Sequence, residues 1–491
     1  MTGATFLLAV VLLLYSTSML VMRFASGTFR PVKQPITWFY LSWIVGLVML
    51  ALPMFEYQEK ITGDVIAYIA GALAAFSMGA IASVFVRHEL KTKIAPPIAA
   101  TEEAERLAVL TRWLLILGLI GTALLILNTQ LAGTLSFADR LDAENASRIR
   151  EEHMGQAASQ IGPLFGPASL TSATGGLGVA FVMYFLGRGV KPARRDLKPL
   201  AIAVLALNCI GAFIAFGSRM FAVFFLLVAF FSYAFGRWAE GRNALAYKLT
   251  VRRVLILGAT TLSIIFGLWL SATYFLEKRV GGQSPVTLLY KTHRAKFAPP
   301  LYDLIRKDTP TQYLAFSASY FSTPIATLSF YIDLPDDRTP GPFWGQYNFP
   351  AVARWVRRIT FIPDPFFWEN ARFEIFKPLG AINFGTNVWA TSLRDLIADF
   401  GRGGSVAFLF LLGFGAQSLV SGQSARPTAV KAGLLAYLII ILLFSGFVST
   451  LFMPQIHWPL YLSVALVFTR FNTLVKKVDF RVLKTLALKS R

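Results

Sequence analysis

The residues with the clearest capacity for chemistry are a few cations and carboxylates beside long apolar runs. Arg219 stands in Phe216-Gly217-Ser218-Arg219-Met220, a tight turn between two such runs. A charge at a membrane boundary is costly and marks a functional candidate, and a planar guanidinium can grip a phosphate through two parallel hydrogen bonds. The plainer account is an arginine reaching for a lipid phosphate. A second group lies in Asn387-Val388-Trp389-Ala390-Thr391-Ser392-Leu393-Arg394-Asp395-Leu396-Ile397-Ala398-Asp399-Phe400-Gly401-Arg402-Gly403-Gly404. The pattern predicts a helix from Val388, with Arg394 and Asp395 on its middle turns. Asp395 and Asp399 are spaced i, i+4 and share a face. Gly401, Gly403 and Gly404 permit a bend into the following apolar run. A cation beside carboxylates suits anion binding and proton abstraction, and it equally suits an interfacial salt bridge.

Further candidates are weaker. Arg354, Arg357 and Arg358 fall on one face of a helix whose other face carries Val352, Trp355 and Ile359, the pattern of an interfacial segment. Arg148, Arg150 and His153 follow the acidic stretch Asp139–Glu144. Arg148 is a candidate contact for an anionic ligand, against the alternative of a solvated face. His293-Arg294 and His457 are also expected on the outside, His457 after Pro454 at the start of an apolar run and beside Trp458, where an aromatic belt is expected. Cys209 is the single cysteine, so neither an intrachain disulfide nor a thiol metal site is expected. His88, His153, His293 and His457 form no ligand pair, so no metal is expected. Gly175-Gly176-Leu177-Gly178 lies in an apolar run and reads as helix packing rather than as a phosphate cradle. No nucleoside-triphosphate loop is present, and Asn145-Ala146-Ser147 is a glycosylation sequon by pattern alone.

The elements that must position these residues follow from composition. The chain has 491 residues, 55% hydrophobic and only 15% charged, with mean hydropathy +0.57. About 25% charged is usual for a soluble globular protein. So few charges exclude a soluble enzyme, a disordered chain and a soluble solenoid. An all-α polytopic membrane protein remains. A net charge of +21 would point to nucleic acid in a soluble chain. In a membrane protein it follows from the enrichment of Lys and Arg in cytoplasmic loops, and no nucleic-acid partner is expected.

Apolar runs of crossing length occur at 4–22, 36–54, 65–86, 113–132, 164–186, 199–216, 219–235, 254–274, 404–421, 432–450 and 456–469. These eleven predicted spans divide the chain into four parts. Residues 1–274 form an N-terminal bundle with an outside loop at 133–163. Residues 275–403 form a large outside cap, rich in aromatics and proline. Residues 404–469 form the C-terminal spans, and 470–491 a basic amphipathic tail. Within the cap, Leu314–Tyr331 is expected to be a helical pair or a re-entrant piece. Short loops set the orientation. Residues 55–64 carry excess negative charge, whereas Arg188, Lys191, Arg194, Arg195 and Lys198 cluster in 187–198. The N-terminus is therefore expected outside and the C-terminus inside.

The Gly217-Ser218-Arg219 turn and the Asn387–Gly404 segment together resemble the bacterial oligosaccharide repeat-unit polymerases, the Wzy-type O-antigen polymerase family, which is related to the O-antigen ligases. The match at residue level covers about thirty positions, whereas span count and loop placement agree along most of the chain. The resemblance implies a membrane glycosyltransferase of GT-C-like architecture with its cap in the periplasm. It implies an inner-membrane location and undecaprenyl-pyrophosphate-linked oligosaccharides as substrates. It implies no cofactor, and possible partnership with a chain-length-regulating co-polymerase in the bilayer. Under it Arg219, Arg394, Arg294 and Arg148 are candidates for the pyrophosphate. Asp395, Asp399 and His457 are candidates for the base. Asn387 and Trp389 are candidates for sugar contact, and Trp344 and Trp368 can stack on sugar rings. A ligase fits the same residues. A lipid-linked glycan flippase should carry ionisable groups deep in its spans or matching broken helices, and the sequence lacks both.

Overall fold

The computed structural model describes residues 3–25, 31–58, 60–89, 99–132, 165–216, 220–241, 283–335, 339, 341–349, 352, 391–447 and 453–468. Their order is α1 (Gly3–Ala25), α2 (Pro35–Ala51), β1 (Phe55–Tyr57), α3 (Gly63–Glu89), α4 (Ala100–Ala132), α5 (Phe165–Arg188), α6 (Leu197–Phe216) and α7 (Met220–Ala239). There follow α8 (Pro285–His293), β2 (Ala295–Phe297), α9 (Pro299–Ile305), α10 (Thr309–Ser319), α11 (Thr323–Asp333), α12 (Ser392–Ala425), α13 (Ala429–Phe444) and α14 (Pro454–Phe468). A short 3-10 turn, Pro31–Lys33, leads into α2.

Each apolar run that falls wholly or partly within the described residues carries a helix, although the runs 36–54 and 432–450 stop being helical at Ala51 and Phe444; the run 254–274 lies outside the described residues. The loop 133–163 and the tail 470–491 also lie outside. Among the described residues six helices, α1, α3, α4, α5, α7 and α12, are long and apolar enough to cross a membrane. Four shorter apolar helices, α2, α6, α13 and α14, stand with them.

Two hydrophobic cores share α13. One gathers α1, α2, α3, α11 and both the beginning and the middle of α12. The other gathers α4, α5, α7 and α14. Buried residues run almost without a break from Ala432 to Leu442, so α13 is enclosed on all sides. A helix that is apolar all round is stable only in such a position. Elsewhere glycines let backbones touch. A Cβ on Gly118 of α4 would stand 2.5 Å from the Cα of Gly175 of α5. Apolar lipid offers no hydrophobic incentive for helices to associate, so close van der Waals packing of this kind holds them together.

The predicted helical pair at 314–331 is present as α10 and α11. Prolines at their first turns fix the entry, because proline lacks the N–H that a first turn leaves unsatisfied. Ile325, Leu328 and Ile332 of α11 enter the first core. Phe55, Leu289, Phe297, Ile305 and Phe316 form a separate small core around β1 and β2. The two strands pair antiparallel, Phe55 with Phe297 and Glu56 with Lys296, so the described residues include a small sheet beside the helices.

Candidate active site

The helix expected from Val388 begins at Ser392. Thr391 is extended, and its hydroxyl accepts the Arg394 N–H at 3.3 Å as an N-cap. Arg394 and Asp395 therefore sit in the first turn of α12 rather than on middle turns. The carboxylate there gains from the positive end of the helix dipole. The bend is placed at Gly401, with φ 70° and ψ 178°, a conformation that only glycine adopts without strain. It divides α12 into a short piece, 392–400, and a long apolar piece, 402–425.

The short piece is pinned at both ends. Ser392 N–H donates to the Ser445 carbonyl at 2.8 Å, beyond the C-terminus of α13. The Ser445 hydroxyl is 3.1 Å from that of Ser42 on α2. At the bend, Arg402 Nη2 donates to the carbonyls of Ile332 and Leu334, each at 2.8 Å, and so closes the C-terminus of α11. Tyr68 of α3 donates to the Arg402 carbonyl at 3.1 Å and its hydroxyl also meets that of Ser405.

Between these ends lies a buried charge cluster. Arg394 and Asp395 are 3% and 1% exposed. Arg394 Nε and Nη2 both donate to Asp395 Oδ1, at 2.8 and 2.6 Å. The guanidinium carbon lies 5.6 Å from the centroid of the Tyr331 ring of α11. Asp399 is fully buried. Its Oδ1 accepts Tyr347 N–H at 2.9 Å, and its Oδ2 accepts Asn348 N–H at 2.8 Å and Asn348 Nδ2 at 2.7 Å. Asn348 Nδ2 also donates to the Asp395 carbonyl at 3.0 Å.

The break at Gly401 explains why this loop docks there. A helix end leaves carbonyls without intrahelical donors. Here the Ala398 and Asp399 carbonyls accept Phe343 N–H at 2.9 Å and Trp344 N–H at 2.7 Å. Residues 341–349 are thus bonded to one turn of helix through backbone and side chain together. Trp344, at the head of this segment, has φ 54° and is 75% exposed.

The other candidates are placed as follows. Arg294 closes α8 in a left-handed conformation and its Nε donates to Gln58 Oε1 at 3.0 Å, beside the β1–β2 pair. The preceding His293 is buried, stacked on Phe316 at 5.0 Å, with Nδ1 2.7 Å from the Ser319 hydroxyl. Burial lowers its pKa to about 3, which leaves it neutral. His457 is buried near the start of α14, with its ring stacked on Tyr461 at 5.4 Å. Arg148, Arg219, Asn387 and Trp389 lie outside the described residues. So do His153, Arg150, Trp355, Trp368 and the cluster Arg354, Arg357 and Arg358.

Arg394, Asp395 and Asp399 are thus brought into one buried unit, with Arg294 and His457 on other elements. Sequence reasoning missed Asn348, Tyr331 and Arg402. Asn348 and Tyr331 carry no signal, because their partners are 51 and 63 positions away along the chain. Arg402 lies inside the glycine-rich segment, where it drew no role. Its type next to a bend was the available hint.

Chemically, the unit holds one cation and two carboxylates away from bulk water. Electrostatic interactions are strong in such a setting. Asp399 is occupied in holding the loop, whereas Asp395 Oδ1 accepts two hydrogen bonds from Arg394. Among the described residues, no group of three or more His, Cys, Asp or Glu is arranged to hold a metal. Comparisons with family models, with curated proteins and with solved structures find no match to this chain.

Proposed function

We propose that this protein is a membrane glycosyltransferase that polymerises undecaprenyl-pyrophosphate-linked oligosaccharide repeat units into a surface polysaccharide. It acts at the periplasmic face of the bacterial inner membrane, within a bundle of about eleven crossings. The observation that carries the reading is the Arg394–Asp395 pair, buried at one end of an apolar helical bundle beneath the cap segment 341–349.

In the reaction the sugar C1–O bond to the pyrophosphate breaks. A hydroxyl of the incoming repeat unit forms the new glycosidic bond and gives up its proton. Undecaprenyl pyrophosphate leaves. Arg394, together with Arg219, takes the negative charge that develops on the leaving oxygen. Asp395 takes the proton of the attacking hydroxyl. Both steps require the pair to part, with the guanidinium turning to the pyrophosphate and the carboxylate to the acceptor. Asp399 keeps the loop in place above them. The N-terminus lies in the periplasm and the C-terminus in the cytoplasm, which puts the start of α12 on the side where lipid-linked repeat units are presented.

The test is glycan length on its carrier in a deletion strain. Loss of the polysaccharide ladder, with single repeat units still reaching the final acceptor, supports a polymerase. Long chains left on undecaprenyl pyrophosphate mark a ligase instead. An unchanged ladder overturns both. Complementation with Arg394→Ala should restore the inserted protein but not the ladder.

A further inference from the structure

Tyr331, near the end of α11, is 1% exposed, and its hydroxyl has no hydrogen-bond partner among the described residues. Other buried phenols are served. The Tyr40 hydroxyl meets that of Ser77 at 3.0 Å, and Tyr313 donates to the Gln283 carbonyl at 3.1 Å. Other hydroxyls of α11 are spent on their own helix, Thr327 on the Thr323 carbonyl at 2.9 Å and Ser329 on the Ile325 carbonyl at 3.2 Å. A buried polar group left without a partner is costly, and phenylalanine would fill the same space without that cost. The hydroxyl therefore calls for a partner that arrives from outside the fold.

Its surroundings define that partner. The Arg394 guanidinium carbon lies 5.6 Å from the centroid of the Tyr331 ring, and the charges of Arg394 and Asp395 both act on the phenol. The ring is held in place. Ile325, Leu328 and Ile332 pack α11 into the first core, and Arg402 bonds the Ile332 and Leu334 carbonyls on either side of its end. Attraction between a cation and a ring face keeps the guanidinium near the ring as it releases Asp395. An anionic oxygen gripped by Arg394 is thereby brought toward the hydroxyl. A phenolic O–H donates most strongly to an ionised acceptor, about twice as strongly as to a neutral one such as a sugar hydroxyl. We infer that Tyr331 is a binding residue for the pyrophosphate of the lipid carrier, donating its hydroxyl hydrogen to a phosphate oxygen beside Arg394. The inference rests on the reaction proposed above and adds a second donor, from α11, to its leaving-group site.

The experiment is a titration of the full-length protein in detergent with undecaprenyl pyrophosphate, read by native mass spectrometry, with undecaprenol as the uncharged reference. Tyr331→Phe removes one oxygen atom and keeps the ring. Tyr437→Phe is the matched control, because Tyr437 is also fully buried with its hydroxyl unbonded among the described residues, but lies in the apolar core around α13. Both variants should melt at or above the wild-type temperature, since each loses a buried group without a protein partner. Tyr331→Phe should bind undecaprenyl pyrophosphate about tenfold more weakly, the loss of one hydrogen bond to a charged group, and Tyr437→Phe should bind it as the wild type does. Wild-type affinity in Tyr331→Phe overturns this inference and leaves the polymerase reading to its own test. A lowered melting temperature in Tyr331→Phe also overturns it, because the hydroxyl then serves the fold. Equal weakening in Tyr437→Phe overturns it as a general effect on the core. Wild-type protein that binds undecaprenyl pyrophosphate no better than undecaprenol overturns the inference together with the reading on which it rests.

Discussion

Asn348 spends its side-chain amide on two points of one helix turn, the Asp399 carboxylate at 2.7 Å and the Asp395 carbonyl at 3.0 Å. A single loop residue thus bonds both the side chain and the backbone of the helix that carries Arg394. Removing either partner leaves buried groups unpaired. Asp399→Ala strands three donor contacts and should cost about 2 kcal/mol or more of stability, and Asn348→Ala less. Thermal unfolding of the purified proteins measures this. Equal stability of Asp399→Ala and wild type would remove the loop-holding role.

The Arg394–Asp395 pair has a separate signature. Asp395→Asn leaves a buried guanidinium uncompensated and should destabilise by about 3–5 kcal/mol, as breaking a buried ion pair generally does. Arg394→Met combined with Asp395→Leu should cost much less than the two single changes summed, because no charge is then stranded. Polysaccharide synthesis should be absent in all three. A double variant that is stable yet inactive separates chemistry from folding; restored synthesis in it would end the catalytic assignment of the pair.

Gly401 should tolerate no side chain, although nothing crowds it. Among the described residues, apart from its own helix backbone and chain neighbours, no atom lies within 4 Å of where its Cβ would be, so the cost of Gly401→Ala is conformational, from φ 70° and ψ 178°. A loss of about 1–3 kcal/mol is expected, with a fall in activity as the two pieces of α12 realign. Gly415→Ala is the matched control. It too meets no atom, but it lies in regular helix and should be neutral or stabilising by up to about 1 kcal/mol. Thermal unfolding of the two alanine variants side by side gives the comparison.

His293 gives stability a pH dependence. Its folded pKa is lowered to about 3 by burial against Phe316 and Tyr320, while an unfolded histidine titrates near about 6.5. Between those values the unfolded chain binds the extra proton. Its contribution to stability is therefore complete above about pH 6.5 and falls as pH drops toward 3. The melting temperature of the wild type should drop between pH 7.5 and 5 by more than that of His293→Gln. Parallel curves would show that the ring is solvated.

The membrane class was set by the amino-acid sequence alone. So were the approximate positions of the apolar helices and a bend somewhere among Gly401, Gly403 and Gly404, which the structure places at Gly401. Each depends on local quantities: a run of apolar residues, a proline at a first turn, a glycine where φ is positive. The start of α12 was misplaced by four residues, because Val388-Trp389-Ala390 has helical character while the cap hydroxyl of Thr391 decides the end. The sequence also put Arg394, Asp395 and Asp399 on one short helix, since their spacing is local. Only the tertiary structure decided that the three are buried, that Asp399 holds a loop rather than facing solvent, and that Arg394 lies against Tyr331. Those facts rest on contacts between segments far apart in the chain. Periodicity reports which face of a helix is apolar, but not which distant backbone N–H will arrive to meet a carboxylate. That choice is made when the broken helix offers free carbonyls and a loop of matching shape closes on them.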